Sequence, residues 1–218
     1  MDGSNRLLEK EEYRIHDRLG QMGEIARAEL EGALTALESQ GFEQAQEVVA
    51  SDMDLNHLYR IVEQDCLKVL ALQQPVARDL REIVGSLQVA VELERIGDHA
   101  RNIAKIVLGM DSSDFSGPMD QIERMGDLVT TMLSQAVEAV LNKDEALARL
   151  AAEEDREVDE LDQEAVSSLM MQLMSAPDTS MHSTHLLWIA YHLERVGDRV
   201  KNIAERVVFM VTADSLEL

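Results

Sequence analysis

Two copies of one short motif carry the residues best suited to chemistry: Leu93-Glu94-Arg95-Ile96-Gly97-Asp98 and Leu193-Glu194-Arg195-Val196-Gly197-Asp198. Each continues into Asn-Ile-Ala, at Asn102 and at Asn202. Glu and Asp stand four residues apart, about one helical turn, so both carboxylates lie on one face of a helix. Stacked like charges repel by a few tenths of a kcal/mol, and the Gly between them costs about 1 kcal/mol against Ala. A bound cation reverses the sign of the first cost. Further pairs at the same spacing are Asp52 with Asn56 and Asp155 with Asp159. On a wheel turning ~100° per residue, Glu94, Asp98 and Asn102 share a stripe nearly opposite Leu93, Ile96, Ala100, Ile103 and Val107. The carboxylates are therefore expected on the outward face, as a patch of four oxygen-bearing side chains per half. Hard oxygen donors of this kind suit Mg²⁺, Mn²⁺, Ca²⁺ or iron. An acidic helix exterior that binds nothing, only solvated, is the competing reading.

The neighbouring residues admit plainer roles. Arg95 and Arg195 are expected to pair with an adjacent helix, with neutralising the acidic patch or anchoring a partner as the alternatives, and Gly97 and Gly197 to permit close helix packing. His57, His99 and His192 lie near the acidic pairs in sequence but are kept out of the ligand set. The run Met170-Met171-Gln172-Leu173-Met174 is read as core filler, with an adaptable partner surface as the alternative.

The elements that must position these residues are helices. Aromatic residues make up only 3% of the 218-residue chain, and Ala, Leu, Val, Met, Glu and Gln dominate, a composition that favours helix over sheet. Apolar spacing predicts helices over 5–39, 43–73, 77–109, 119–141, 144–175 and 180–212. The repeat extends beyond the opening motif: Met22-Gly23-Glu24-Ile25 matches Met125-Gly126-Asp127-Leu128, and Pro75 and Pro177 precede corresponding helices. The fold class is all-α, two tandem, internally repeated three-helix bundles spanning 1–112 and 118–218, joined at the turn-rich segment 111–118.

Composition also limits function. A formal charge of −22 repels phosphate backbones, so neither nucleic acid nor an anionic bilayer is expected as a partner. One cysteine, Cys66, forms no disulfide framework, and the N-terminus carries no signal pattern. A cytoplasmic protein without membrane insertion follows. Nucleotide loops, nucleophile elbows and paired cysteines are missing from the sequence, and no Glu-x-x-His occurs to build a di-iron site. No enzymatic activity is expected.

With its duplicated Leu-Glu-Arg-x-Gly-Asp-x-x-x-Asn-Ile-Ala, the chain resembles the PhoU family along almost its whole length. The resemblance implies a negative regulator of the phosphate-starvation response, without catalysis and commonly a homodimer. Its implied partners are the ATPase subunit of the phosphate ABC importer and the phosphate sensor histidine kinase. It also implies surface metal sites, with Fe, Zn, Mg or Mn, on Glu94 with Asp98, Asp155 with Asp159, Glu194 with Asp198 and Asp52 with Asn56. Asn56 departs from the acidic pattern, so weaker metal binding is expected in the first half. A regulator of another transporter, or a metal-binding or scaffolding bundle without a phosphate role, is the alternative.

Overall fold

In the computed structural model the described residues are 2–110, 119–175 and 180–214. The predicted joint 111–118 and the segment 176–179 around Pro177 lie outside them, as do the side chains of residues 2–5, 52 and 180. Every ordered element among the described residues is helical: α1 (Asp2–Ser39), α2 (Phe42–Gln73), α3 (Ala77–Leu108), α4 (Met119–Asn142), α5 (Glu145–Glu153), α6 (Asp155–Ser175) and α7 (Ser180–Thr212). The six expected helices are present, and the fifth is interrupted at Glu154. No Pro or Gly stands at that break. Three consecutive acids, Glu153 to Asp155, occupy it. The carbonyl of Glu154 accepts from the N–H groups of Glu157 and Val158, at 3.0 and 3.4 Å. A new helix thus starts there, with Asp155 and Glu157 in its positively polarised first turn.

The apolar stripes meet as the spacing predicts. α1, α2 and α3 pack around one core, and α4, α5, α6 and α7 around another. Leu93, Ile96, Ala100, Ile103 and Val107 are all buried, as are their counterparts Leu193, Val196, Val200, Ile203 and Val207. The halves join through α3 against α7 and α1 against α4, and one continuous apolar cluster runs through both. Even the turns repeat. Gln40 and Lys143, at matching places after α1 and α4, both adopt left-handed backbone, with φ of 57° and 54°.

The run at 170–174 departs from expectation. Leu169 faces the core, whereas Met170, Met171 and Met174 are exposed. The core stripe of α6 is Val158, Leu161, Ala165 and Leu169, which leaves Met171 and Met174 on the opposite side. Among the described residues no helix is long and apolar enough to cross a membrane.

Candidate functional site

The acidic pairs sit where α2 meets α3 and where α6 meets α7. Glycine sets the closeness of both contacts. A Cβ on Gly97 would collide with Leu55 of α2 and lie 2.7 Å from Glu29 Oε2 of α1. A Cβ on Gly197 would lie 3.0 Å from Asp155 Oδ1 and 3.4 Å from Val158 of α6. The expectation of close helix packing at both glycines therefore holds.

In the second half, five carboxylates gather around the α6–α7 contact. Asp155 is not on the exterior: it is 5% exposed, held against Gly197 with Lys201 Nζ 3.5 Å away. Burial pushes its carboxyl up; Lys201 opposes the rise, and the charges of Asp159 and Asp198 add to it. Glu194 is raised by burial and by Asp198 and Asp162, against the pull of Arg195. Asp162 is raised by burial and by Asp159. Sequence reasoning missed Asp162, although it stands three residues after Asp159 and seven after Asp155, on the same helical stripe.

Arg195 neutralises the acidic patch, the alternative reading, rather than pairing with a neighbouring helix. Its guanidinium lies along its own helix, 2.5 Å from Glu194 and 2.8 Å from Asp198, and over the Tyr191 ring at 5.5 Å. Arg95 likewise reaches along its own helix, 3.8 Å from Glu92. His99 and His192 approach each other, Nδ1 to Nδ1 at 3.0 Å across the α3–α7 seam. Burial, with His192 and three nearby arginines, pushes His99 down to about 4. His57 is exposed.

The first half is the poorer copy. Glu94 and Asp98 are half-buried, and Arg101 pairs with Asp98. Asn56 stands in place of Asp159, and Tyr59 in place of Asp162. The Tyr59 hydroxyl donates to Glu63 at 3.2 Å. Burial, that bond and the Glu94 charge all raise its pKa.

Among the described residues, no three His, Cys, Asp or Glu side chains are drawn together closely enough to hold a metal ion. The second-half donors nevertheless suit a hard cation. Three of the five carboxylates are held above their ordinary range by burial and mutual repulsion, the shortage of positive charge that a cation relieves. Seating one requires Arg195 to turn away from Glu194 and Asp198. Cys66 is buried, and burial pushes its thiol up to about 12, so it carries no thiolate at neutral pH.

Comparison with known proteins decides the family. The PhoU domain matches this chain twice, over residues 19–107 and 122–207. This chain belongs to the PhoU family. The phosphate-specific transport system accessory protein PhoU homolog of Caulobacter vibrioides is 37% identical over 197 residues, covering 90% of this chain and 86% of that one. The Xylella fastidiosa homolog is 32% identical over 203 residues, covering 93% and 86%. PhoU from Pseudomonas aeruginosa superposes with a TM-score of 0.91 at 29% identity, covering 94% of this chain and 99% of that one. The phosphate transport system regulatory protein PhoU of Streptococcus pneumoniae gives 0.91 at 27%, covering 97% and 100%. Both PhoU segments contain one copy of the Glu-Arg-x-Gly-Asp motif.

Proposed function

We propose that this protein is a cytoplasmic accessory regulator of phosphate transport that holds down the phosphate-starvation response when phosphate is plentiful. The observation that carries the reading is the double PhoU match, one per bundle, in a chain that superposes end to end on regulatory PhoU structures.

In this reading the outer faces of α2, α3, α6 and α7 meet the partners: the ATPase subunit of the phosphate importer and the cytoplasmic part of a sensor histidine kinase. The protein works as a homodimer. Switching between partners is a population shift, and it requires each transporter state to bind this face with different affinity. Asp155, Asp159, Asp162, Glu194 and Asp198 would hold a divalent or ferric ion, Mg, Mn, Fe or Zn, with Lys201 and Arg195 as the built-in competitors. The first-half set, Asp52, Asn56, Glu94 and Asp98, would hold it more weakly, because Asn56 and Tyr59 supply no charge. A bound ion neutralises the patch and lets a partner's carboxylate or backbone oxygen approach.

The test is alkaline phosphatase output of the source bacterium in phosphate-rich medium, with and without the gene. High output in the deletion, returned to low by the wild-type copy, is the expected result. Unchanged low output in the deletion overturns the phosphate role.

A further inference from the structure

The methionines of the second half form a surface that the fold does not require. Met170, Met171, Met174 and Met181 are 51%, 64%, 86% and 66% exposed. Three stand in the last turns of α6 and Met181 in the first turn of α7. Scattered exposed apolar residues are ordinary, but several flexible thioethers within two successive helix ends suit a surface that adapts to a partner. The internal repeat supplies the control. In the first half the counterparts of Met170, Met171, Met174 and Met181 are Leu67, Lys68, Ala71 and Arg81; Leu67 is exposed there too, so what is particular to the second half is the set of thioethers, which the three-helix bundle forms without.

An acidic groove leads into it. Two adjoining cavities of about 400 and 580 Å³ run between α4 and α6 and share Glu160 and Glu164. Glu153, Glu154 and Glu157 continue the wall, over Leu150 and Leu161. Here too the halves differ: the counterparts of Glu153, Glu154, Glu160 and Glu164 are Ala50, Ser51, His57 and Ile61, and only Glu157 has an acidic counterpart, Asp54. Two arginines line the groove. Arg124 lies 3.5 Å from Glu157 and Arg156 3.8 Å from Glu160, both as exposed surface pairs, which contribute little and exchange readily. Glu157, Glu160, Glu164, Met171 and Met174 follow helical spacing along one side of α6. At ~1.5 Å per residue this stripe is roughly 25 Å long.

We propose that the α4–α6 groove and the methionine face beyond it form a docking site for a basic amphipathic helix of another protein. The stripe matches about five turns of such a helix. Its Lys or Arg side chains lie along Glu153, Glu157, Glu160 and Glu164, and its Leu, Ile or Phe side chains pack on Met171, Met174 and Met181. The overall charge of −22 steers such a segment in, and the glutamates set its register. The site is separate from the α6–α7 carboxylates and stands independently of the phosphate reading.

The test uses the full chain and fluorescence anisotropy of a labelled 18-residue peptide with Leu on one helical face and Lys on the other. A matched peptide with Glu in place of Lys measures the charge requirement. The Lys peptide is expected to bind, and the Glu peptide to bind at least tenfold more weakly. Both the triple variant E157Q/E160Q/E164Q and the double variant M171S/M174S are expected to weaken the Lys peptide at least tenfold. A first-half triple of equal charge change, E38Q/E43Q/E47Q, is expected to leave it within twofold. All of these positions are exposed, so the fold withstands the changes, and circular dichroism checks it. Equal weakening by the control triple means attraction to net charge alone and overturns the site. So does unchanged binding by the groove or methionine variants. Wild-type dimers in sedimentation that M171S/M174S converts to monomers assign the face to a second copy, which also overturns it.

Discussion

At the scale of single residues, the acidic patch is a place where stability and ion binding oppose each other. Asp155 is buried, and burial outweighs Lys201 in setting its pKa above the ordinary value. Its charged form is therefore disfavoured by the fold, and a neutral isostere should be tolerated. Asp155→Asn is expected to leave metal-free stability unchanged or raise it by up to ~1 kcal/mol in urea unfolding. The same change should weaken the second-half ion site, read by Mn²⁺ titration. E194Q/D198N is expected to remove the tighter Mn²⁺ equivalent, whereas E94Q/D98N should leave it in place. Equal losses from the two pairs would show that the halves bind alike and that Asn56 and Tyr59 do not matter. Much of this patch was legible in the sequence, because the Glu-x-x-x-Asp spacing occurs on helices that do become neighbours. What spacing did not show was depth. Asp155 stands four residues after the buried Ala151 and three before the buried Val158, on the core side of its helix, whereas the outward placement holds only for the wheel drawn on α3.

At the scale of elements, the apolar rhythm specified the helices because each stripe had one bundle core to face. It did not specify the end of α6. There, apolar residues alternate closely enough that Leu169 satisfies the core while Met170, Met171 and Met174 remain outside. Composition alone cannot separate those two fates. The two motif glycines give a sharper test of packing. Alanine should gain about 1 kcal/mol of helix propensity at either position. Gly97→Ala drives its methyl into the buried Leu55 and toward the buried Glu29, so a net loss of roughly 1–3 kcal/mol is expected. Gly197→Ala meets Asp155 and Val158 at 3.0 Å and beyond, and should cost less or break even. Urea midpoints of the two variants decide the order, and a larger loss at 197 contradicts the packing described. Strain at the turns is a smaller matter of the same kind. Gln40 holds φ at 57° without being glycine, and Gln40→Gly should stabilise the α1–α2 turn by up to ~1 kcal/mol.

At the scale of the whole molecule, the duplicated halves are locked together by side chains that the repeat does not duplicate. Glu82 of α3 is 4% exposed. It bonds His16 of α1 and, at 2.8 Å, Lys143 from the α4–α5 turn of the other half. Its counterpart in the second half is His182, so the repeat does not duplicate the carboxylate. Burial by itself would raise the Glu82 carboxyl, but His16 and Lys143 bring it down to about 2. A carboxylate depressed in the folded state contributes stability above its unfolded pKa, and that contribution is lost as pH falls toward the folded value. The window here runs from about pH 4.5 down to about 2. Glu12 works in the opposite sense, raised by burial and by Asp79 and Glu82, so the wild-type curve alone does not isolate the lock. Comparison with Glu82→Gln does. At pH 7 the variant should be less stable by roughly 2 kcal/mol, and the two unfolding curves should converge as pH approaches 2. Because the halves share one apolar cluster through α3–α7 and α1–α4, the loss should lower a single transition rather than split it in two. Two separated transitions in the variant would mean that this one ion-paired junction, and not the shared core, makes the halves unfold together.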